Sequence, residues 1–170
     1  KHEIDTGNII LQEKIAIADD ENVGSVHDRL MAIGAQLVTK TVDVIIESES
    51  TNIPLPTIPQ IETIDLRPAP KIFKDTCRVD FSKTAEQICN HVRGLSPYPA
   101  AWLGDDMPEH PLKDLLKGAK VYKVVKSALS EQKGHIIFPC ADGYIDVVEL
   151  QLPGKKRMNA AALLNGLKNK

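Results

Sequence analysis

The residues best suited to chemistry lie towards the two ends of the chain. Ile4-Asp5-Thr6-Gly7-Asn8-Ile9-Ile10 sets a carboxylate before a Thr-Gly turn and an apolar run. That order describes a loop that presents Asp5 and then drops into a buried segment. Such a carboxylate orients a histidine or a water for proton transfer when a partner stands within hydrogen-bond reach. Without one, it caps the backbone of its own turn. His2 is the nearest histidine, and it reads as a solvated loop residue. A chain that opens on its most site-like feature raises the expectation of further site residues upstream of Lys1.

Near the other end, Gly154-Lys155-Lys156-Arg157 is a compact basic turn. It is either an ordinary solvated loop or a contact for phosphates, which lysine and arginine grip without reading sequence. Lys113, Lys117, Lys120, Lys123 and Lys126 favour the second reading. On strands, 113 and 117 would share one face and 120 and 126 another, giving a basic sheet surface. Only Tyr122, Tyr144 and Trp102 offer themselves as stacking platforms, so contact with a folded duplex is expected over base stacking. His27, His91, His110 and His135 have no metal-ligand spacing, and no metal site is expected. The sequence has neither a phosphate-cradling glycine motif nor a Ser/His/Asp grouping.

The elements that must position these residues divide the chain in two. Residues 1–70 carry 5 Lys+Arg against 12 Asp+Glu, a net of −7, and residues 71–170 carry 16 against 11, a net of +5. This asymmetry points to two units with different partners, the second facing a polyanion. Residues 8–18 begin apolar and then alternate, which predicts a strand. Residues 24–48 place Val26, Leu30, Ile33, Leu37, Thr41, Val44 and Ile45 on one helical stripe. Pro54, Pro56, Pro59, Pro68 and Pro70 make residues 51–70 a stiff linker. A helix over 80–93 with Ser82 as N-cap comes next, then strands at 100–103, 112–116, 119–125, 135–139 and 144–152. A helix over 159–167 ends the pattern. The strands predict a small antiparallel barrel, and the whole reads as α+β. No apolar run approaches the roughly 20 residues a membrane helix needs. The charged start is unlike a signal peptide. Cys77, Cys89 and Cys140, odd in number and without CxxC spacing, are expected as reduced thiols in a cytoplasmic protein.

Four segments together resemble one family. They are Ile4 to Ile10, then Lys71-Ile72 with Val79-Asp80-Phe81-Ser82, then Arg93-Gly94-Leu95-Ser96-Pro97-Tyr98-Pro99-Ala100, and finally Glu149 to Met158. In order and spacing the chain is similar to the C-terminal portion of methionyl-tRNA formyltransferase. Asn8 stands where an Asp is common, and Phe81 where Trp is common. The resemblance implies a remnant of a Rossmann-like domain over 1–50 (one strand and a long helix), a linker over 51–70, and an OB-like barrel over 71–170. It implies formyl transfer from 10-formyltetrahydrofolate to the amino group of methionyl initiator tRNA. Asp5 would be the catalytic carboxylate, with Ile4, Thr6 and Gly7 beside the folate. The family's catalytic Asn and His, with most of the folate site, would lie upstream. Lys117, Lys120, Lys155, Lys156 and Arg157 would contact tRNA. The 170 residues alone are expected to be inactive, and to self-associate through the first helix where the whole enzyme is monomeric. A relative acting on a sugar nucleotide or other small amine, and a stand-alone RNA-binding module, are the alternatives.

Overall fold

The structure is a computed structural model and describes residues 4–60 and 68–168. His2 and residues 61–67 of the expected linker lie outside the described residues. The chain forms two compact units, Lys1–Asp19 with Ser25–Pro70, and Asp20–Gly24 with Lys71–Lys170.

The first unit is built on helix α1, Val23–Thr51, longer at both ends than the periodicity predicts. Its last turns carry Ser48 and Thr51, whose hydroxyls bond to the carbonyls of Ile53 and Glu47 at 2.6 and 2.7 Å. Asn52, at φ 55°, then ends the helix in the left-handed conformation asparagine tolerates. The predicted stripe is half-buried at Val26, Ile33, Leu37, Thr41, Val44 and Ile45, whereas Leu30 is exposed. None of the 29 residues is buried. Residues 8–18 do not form the expected strand. Their ladder reduces to one antiparallel bridge, Ile9 with Ile58, closed by hydrogen bonds of 2.9 and 2.7 Å. A strand needs a neighbour to satisfy its backbone, and the described residues of this unit supply one residue's worth.

The second unit is an antiparallel sheet with helices. Helix α2, Ala85–Leu95, is capped by Thr84 rather than Ser82. The Thr84 hydroxyl accepts from the Gln87 amide at 3.2 Å, and the Gln87 side chain accepts from the Thr84 amide at 3.1 Å. Ser82 instead donates to Asp80 through its amide and hydroxyl, at 2.9 and 2.6 Å. Strands β1 (Ala101–Trp102), β2 (Lys120–Ser127), β3 (Ile137–Cys140), β4 (Gly143–Gln151) and β5 (Met158–Asn159) form one sheet. Its order is β1-β2-β4-β3, with β5 on β4. Residues 112–116 are not a strand but the single-turn helix α3, Lys113–Leu116, and helix α4 is Ala160–Lys168. The sheet is open among the described residues: β1 and β3 are edges, and no pairing closes a barrel. The α+β class holds. Phe138, Ile88, Leu103, Met107, Leu116, Ile136, Ile145 and Leu150 fill the core. Each such side chain contributes about 1.5–3 kcal/mol by leaving water.

Candidate functional site

The loop carrying Asp5 is held from the proline-rich side of its own unit. Gln60 donates through Nε2 to the carbonyls of Asp5 and Gly7 at 2.9 and 2.6 Å, so one side chain spans the turn. Asn8 donates to the Thr57 hydroxyl at 3.2 Å, and the Ile9–Ile58 bridge fixes the backbone just beyond it. Asp5 itself is exposed, with φ 62°. A left-handed aspartate is uncommon, though better tolerated than most side chains there. Thr6 and Gly7 are half-buried in this turn, and Ile4 is exposed. No hydrogen bond or ion pair reaches the Asp5 carboxylate from the described residues. It is presented, with no histidine partner among them.

The basic turn is built from β4 outward. Leu152-Pro153-Gly154-Lys155 has the Pro-Gly pattern of a type II turn. Gly154 at φ 70° allows the Lys155 amide to reach the Leu152 carbonyl at 3.0 Å. Gln151 then holds the turn by donating to the Lys155 carbonyl at 2.7 Å. Lys155 and Lys156 are exposed and make no ion pair among the described residues. Arg157 differs. Its Nε and a terminal nitrogen donate to the two oxygens of Glu149 at 2.7 and 2.6 Å, a bidentate grip. These bonds raise the affinity of the guanidinium for its proton. The same guanidinium lies 4.3 Å from the centre of the Tyr122 ring, and the Tyr122 hydroxyl donates to Gln151 at 2.6 Å. Tyr122 reaches this position at a slip in the β2–β4 register, where Val121 pairs with Leu150 and Lys123 with Glu149. A bulge of this kind re-aims a side chain. Arg157 is therefore spent on anchoring the turn, and Lys155 and Lys156 are its available charges.

The other predicted cations do not form one face. Lys113 pairs with Glu109 at 2.6 Å from α3, and Lys117 with Asp105 at 3.0 Å just beyond it, because residues 112–117 are not a strand. Lys126 pairs with Glu86 at 3.4 Å. Lys120 is exposed at the start of β2, opposite Trp102 of β1. There it lines a groove with Ile72, Phe73, Lys74 and Tyr98, which sequence reasoning missed. The available signal was the clustering of aromatic residues beside lysines at 71–74, 98–102 and 120. Among the described residues, no group of three or more His, Cys, Asp or Glu is placed to hold a metal ion. No helix there is long and apolar enough to cross a membrane.

Residues 71–168 match the family described as "Formyl transferase, C-terminal domain", and the chain belongs to that family. The relatives narrow the likeness to methionyl-tRNA formyltransferases. The one from Phocaeicola vulgatus is 45% identical over 173 residues, covering 98% of this chain and 53% of that protein. The one from Flavobacterium johnsoniae is 44% identical over 170 residues, covering 96% of this chain and 52% of that protein. The chain thus spans about half the length of the curated relatives it matches. A crystal structure of a HypX variant from Aquifex aeolicus shares the fold, with a TM-score of 0.61 at 14% identity, over 99% of this chain and 30% of that one.

Proposed function

We propose that this chain forms the second half of a cytoplasmic enzyme that formylates methionyl initiator tRNA from 10-formyltetrahydrofolate. The amino group of the methionyl ester attacks the formyl carbon. Asp5 holds a histidine in its productive protonation state, and that histidine and an asparagine stabilise the tetrahedral oxyanion. On this reading the histidine and the asparagine come from the other half of the enzyme, and the 170 residues alone do not transfer formyl groups. Ile4, Thr6 and Gly7 form the folate-side wall of the same loop. Residues 1–50 close the catalytic unit, residues 51–70 link it, and residues 71–170 hold the tRNA.

The observation that carries the RNA-side reading is the turn after β4. A bidentate ion pair, a ring contact and a glutamine fix its backbone while Lys155 and Lys156 stay exposed and unpaired among the described residues. Titrating the 170-residue chain with methionyl initiator tRNA at several salt concentrations tests it. Affinity should fall steeply with salt, and the double reversal Lys155→Glu with Lys156→Glu should weaken binding at least about tenfold at low salt. Unchanged affinity in the double variant would sink this surface. Measurable formylation by the 170 residues alone would sink the assignment of their inactivity.

A further inference from the structure

We propose that the groove between Phe73, Tyr98 and Trp102 is a stacking subsite for an unpaired base of single-stranded RNA, with Lys71, Lys74 and Lys120 taking the flanking phosphates. The sequence has seven aromatic residues (three Phe, three Tyr and one Trp), and three of them line this one groove of about 580 Å³. Tyr98 is 82% exposed and Phe73 62%. Apolar surface gathered in one exposed place marks an interaction site.

One ring, and the backbone that carries a second, are held in place. Trp102 donates through its indole nitrogen to the Lys74 carbonyl at 2.8 Å, and β1 pairing sets it opposite Lys120. Phe73 is fixed at both ends of its backbone: its amide donates to the Thr76 hydroxyl at 3.4 Å, and its carbonyl accepts from the Cys77 thiol at 3.3 Å. Charge identifies the occupant. Lys74 and Lys120 line the groove, and no carboxylate does. Lys71 and Lys74 stand over the Phe73 and Trp102 rings at 5.6 and 5.3 Å. A second cleft, lined by Asp75, Asp80 and Asp106 beside Arg78 and Lys83, lacks this one-sided charge. Flat rings covered by unopposed lysine ammonium groups, which an entering base would displace towards its own phosphates, suit a nucleobase. A base within a duplex is already stacked on both faces, so the ligand is unpaired. The inference rests on the reading of the second unit as the RNA-holding part and assigns it a second, chemically different contact.

Trp102 is the sole tryptophan, and its fluorescence reports the site directly. Short oligoadenylate RNA should quench it saturably, and an abasic oligomer of the same length and charge should not. Tyr98→Ala and, separately, Phe73→Ala should weaken oligoadenylate binding by roughly 5- to 100-fold, with circular dichroism unchanged because both rings are largely in water. The double reversal at Lys155 and Lys156 should leave this quenching in place. Quenching that survives while that reversal has no effect on tRNA binding would remove the basic-turn reading and keep the groove. Equal quenching by the abasic oligomer, or unchanged affinity in both aromatic variants, would overturn the stacking subsite. So would Trp102 emission that shifts with protein concentration alone and is reset by Tyr98→Ala, which would make the groove a contact between copies.

Discussion

Arg157 shows how a residue's surroundings change what its charge can do. A lysine or arginine that neutralises a phosphate releases counterions, and each such contact adds to the salt dependence of binding. Arg157 already faces Glu149 in bidentate geometry, whereas Lys155 and Lys156 do not. Replacing either lysine by alanine should therefore reduce the slope of log affinity against log salt by about one. Arg157→Ala should reduce it by much less, while lowering stability by about 0.2–1 kcal/mol, the range of a solvent-exposed pair. Equal slope losses for all three would mean that RNA displaces Glu149. His110 offers a second residue-level check. Burial lowers the pKa of its imidazolium, and its Nδ1 accepts from the Leu112 amide at 3.1 Å, a bond that protonation there would forfeit. The unfolded chain binds a proton at an ordinary value of about 6.5 that the folded chain resists. The contribution of neutral His110 is thus complete above about pH 6.5 and is lost as pH falls through the lower folded value. Denaturant titrations should show stability falling with acidification in that window, and His110→Asn should flatten the fall.

At the scale of elements, α2 depends on groups from outside itself as much as on its own apolar face. Besides the Thr84–Gln87 capping box, the Asp142 carboxylate in the β3–β4 turn accepts from the Ala85 amide at 2.6 Å, which lowers its pKa. Thr84→Ala should cost about 1 kcal/mol in thermal or denaturant unfolding, the usual value of an N-cap. An unchanged midpoint would mean that Asp142 carries the helix start alone. The helix itself was legible, because Ile88 and Val92 recur at helical spacing and are buried. Its N-cap was not, because Ser82 is if anything the better capping type, and it is drawn into the Asp80 turn while Thr84 forms the box with Gln87. Strands β2 and β4 were legible for the same reason of period. Residues 112–116 misled because Leu-Lys-Asp-Leu-Leu fits a short strand and one helical turn alike. Residues 8–18 misled because alternation promises a strand only where a neighbour exists. The two-residue β5 is too short for any period to show. The Pro-Gly turn before Lys155 was readable from its residues. Arg157's engagement was not, since Glu149 lies eight residues away and Tyr122 arrives only through a bulge. The aromatic groove was only hinted at by lysines beside aromatic residues, because what joins its parts is long-range: Trp102 bonds to the Lys74 carbonyl, and β1 pairing sets it opposite Lys120.

For the molecule as a whole, the two units should respond to salt in opposite directions. Helix α1 exposes Met31, Val38, Val42 and Ile46 at 63, 65, 48 and 58%. These recur at helical spacings on a face beside the half-buried stripe. Exposed apolar surface of that extent drives association, and we propose that copies of this chain meet through it. The net charge of −7 over residues 1–70 opposes the meeting of two such faces. Raising salt screens that repulsion, because the Debye length falls to about 10 Å at 0.1 M and about 3 Å at 1 M. Sedimentation should therefore show concentration-dependent association that strengthens with salt, over the same range in which tRNA binding by residues 71–170, net +5, weakens. Val38→Glu with Val42→Glu should return the chain to a monomer, at little cost to folding because neither side chain is buried. A chain that stays monomeric at high concentration and high salt, with the amides of α1 well protected from hydrogen exchange, would show that the exposed face of α1 is stable in water on its own.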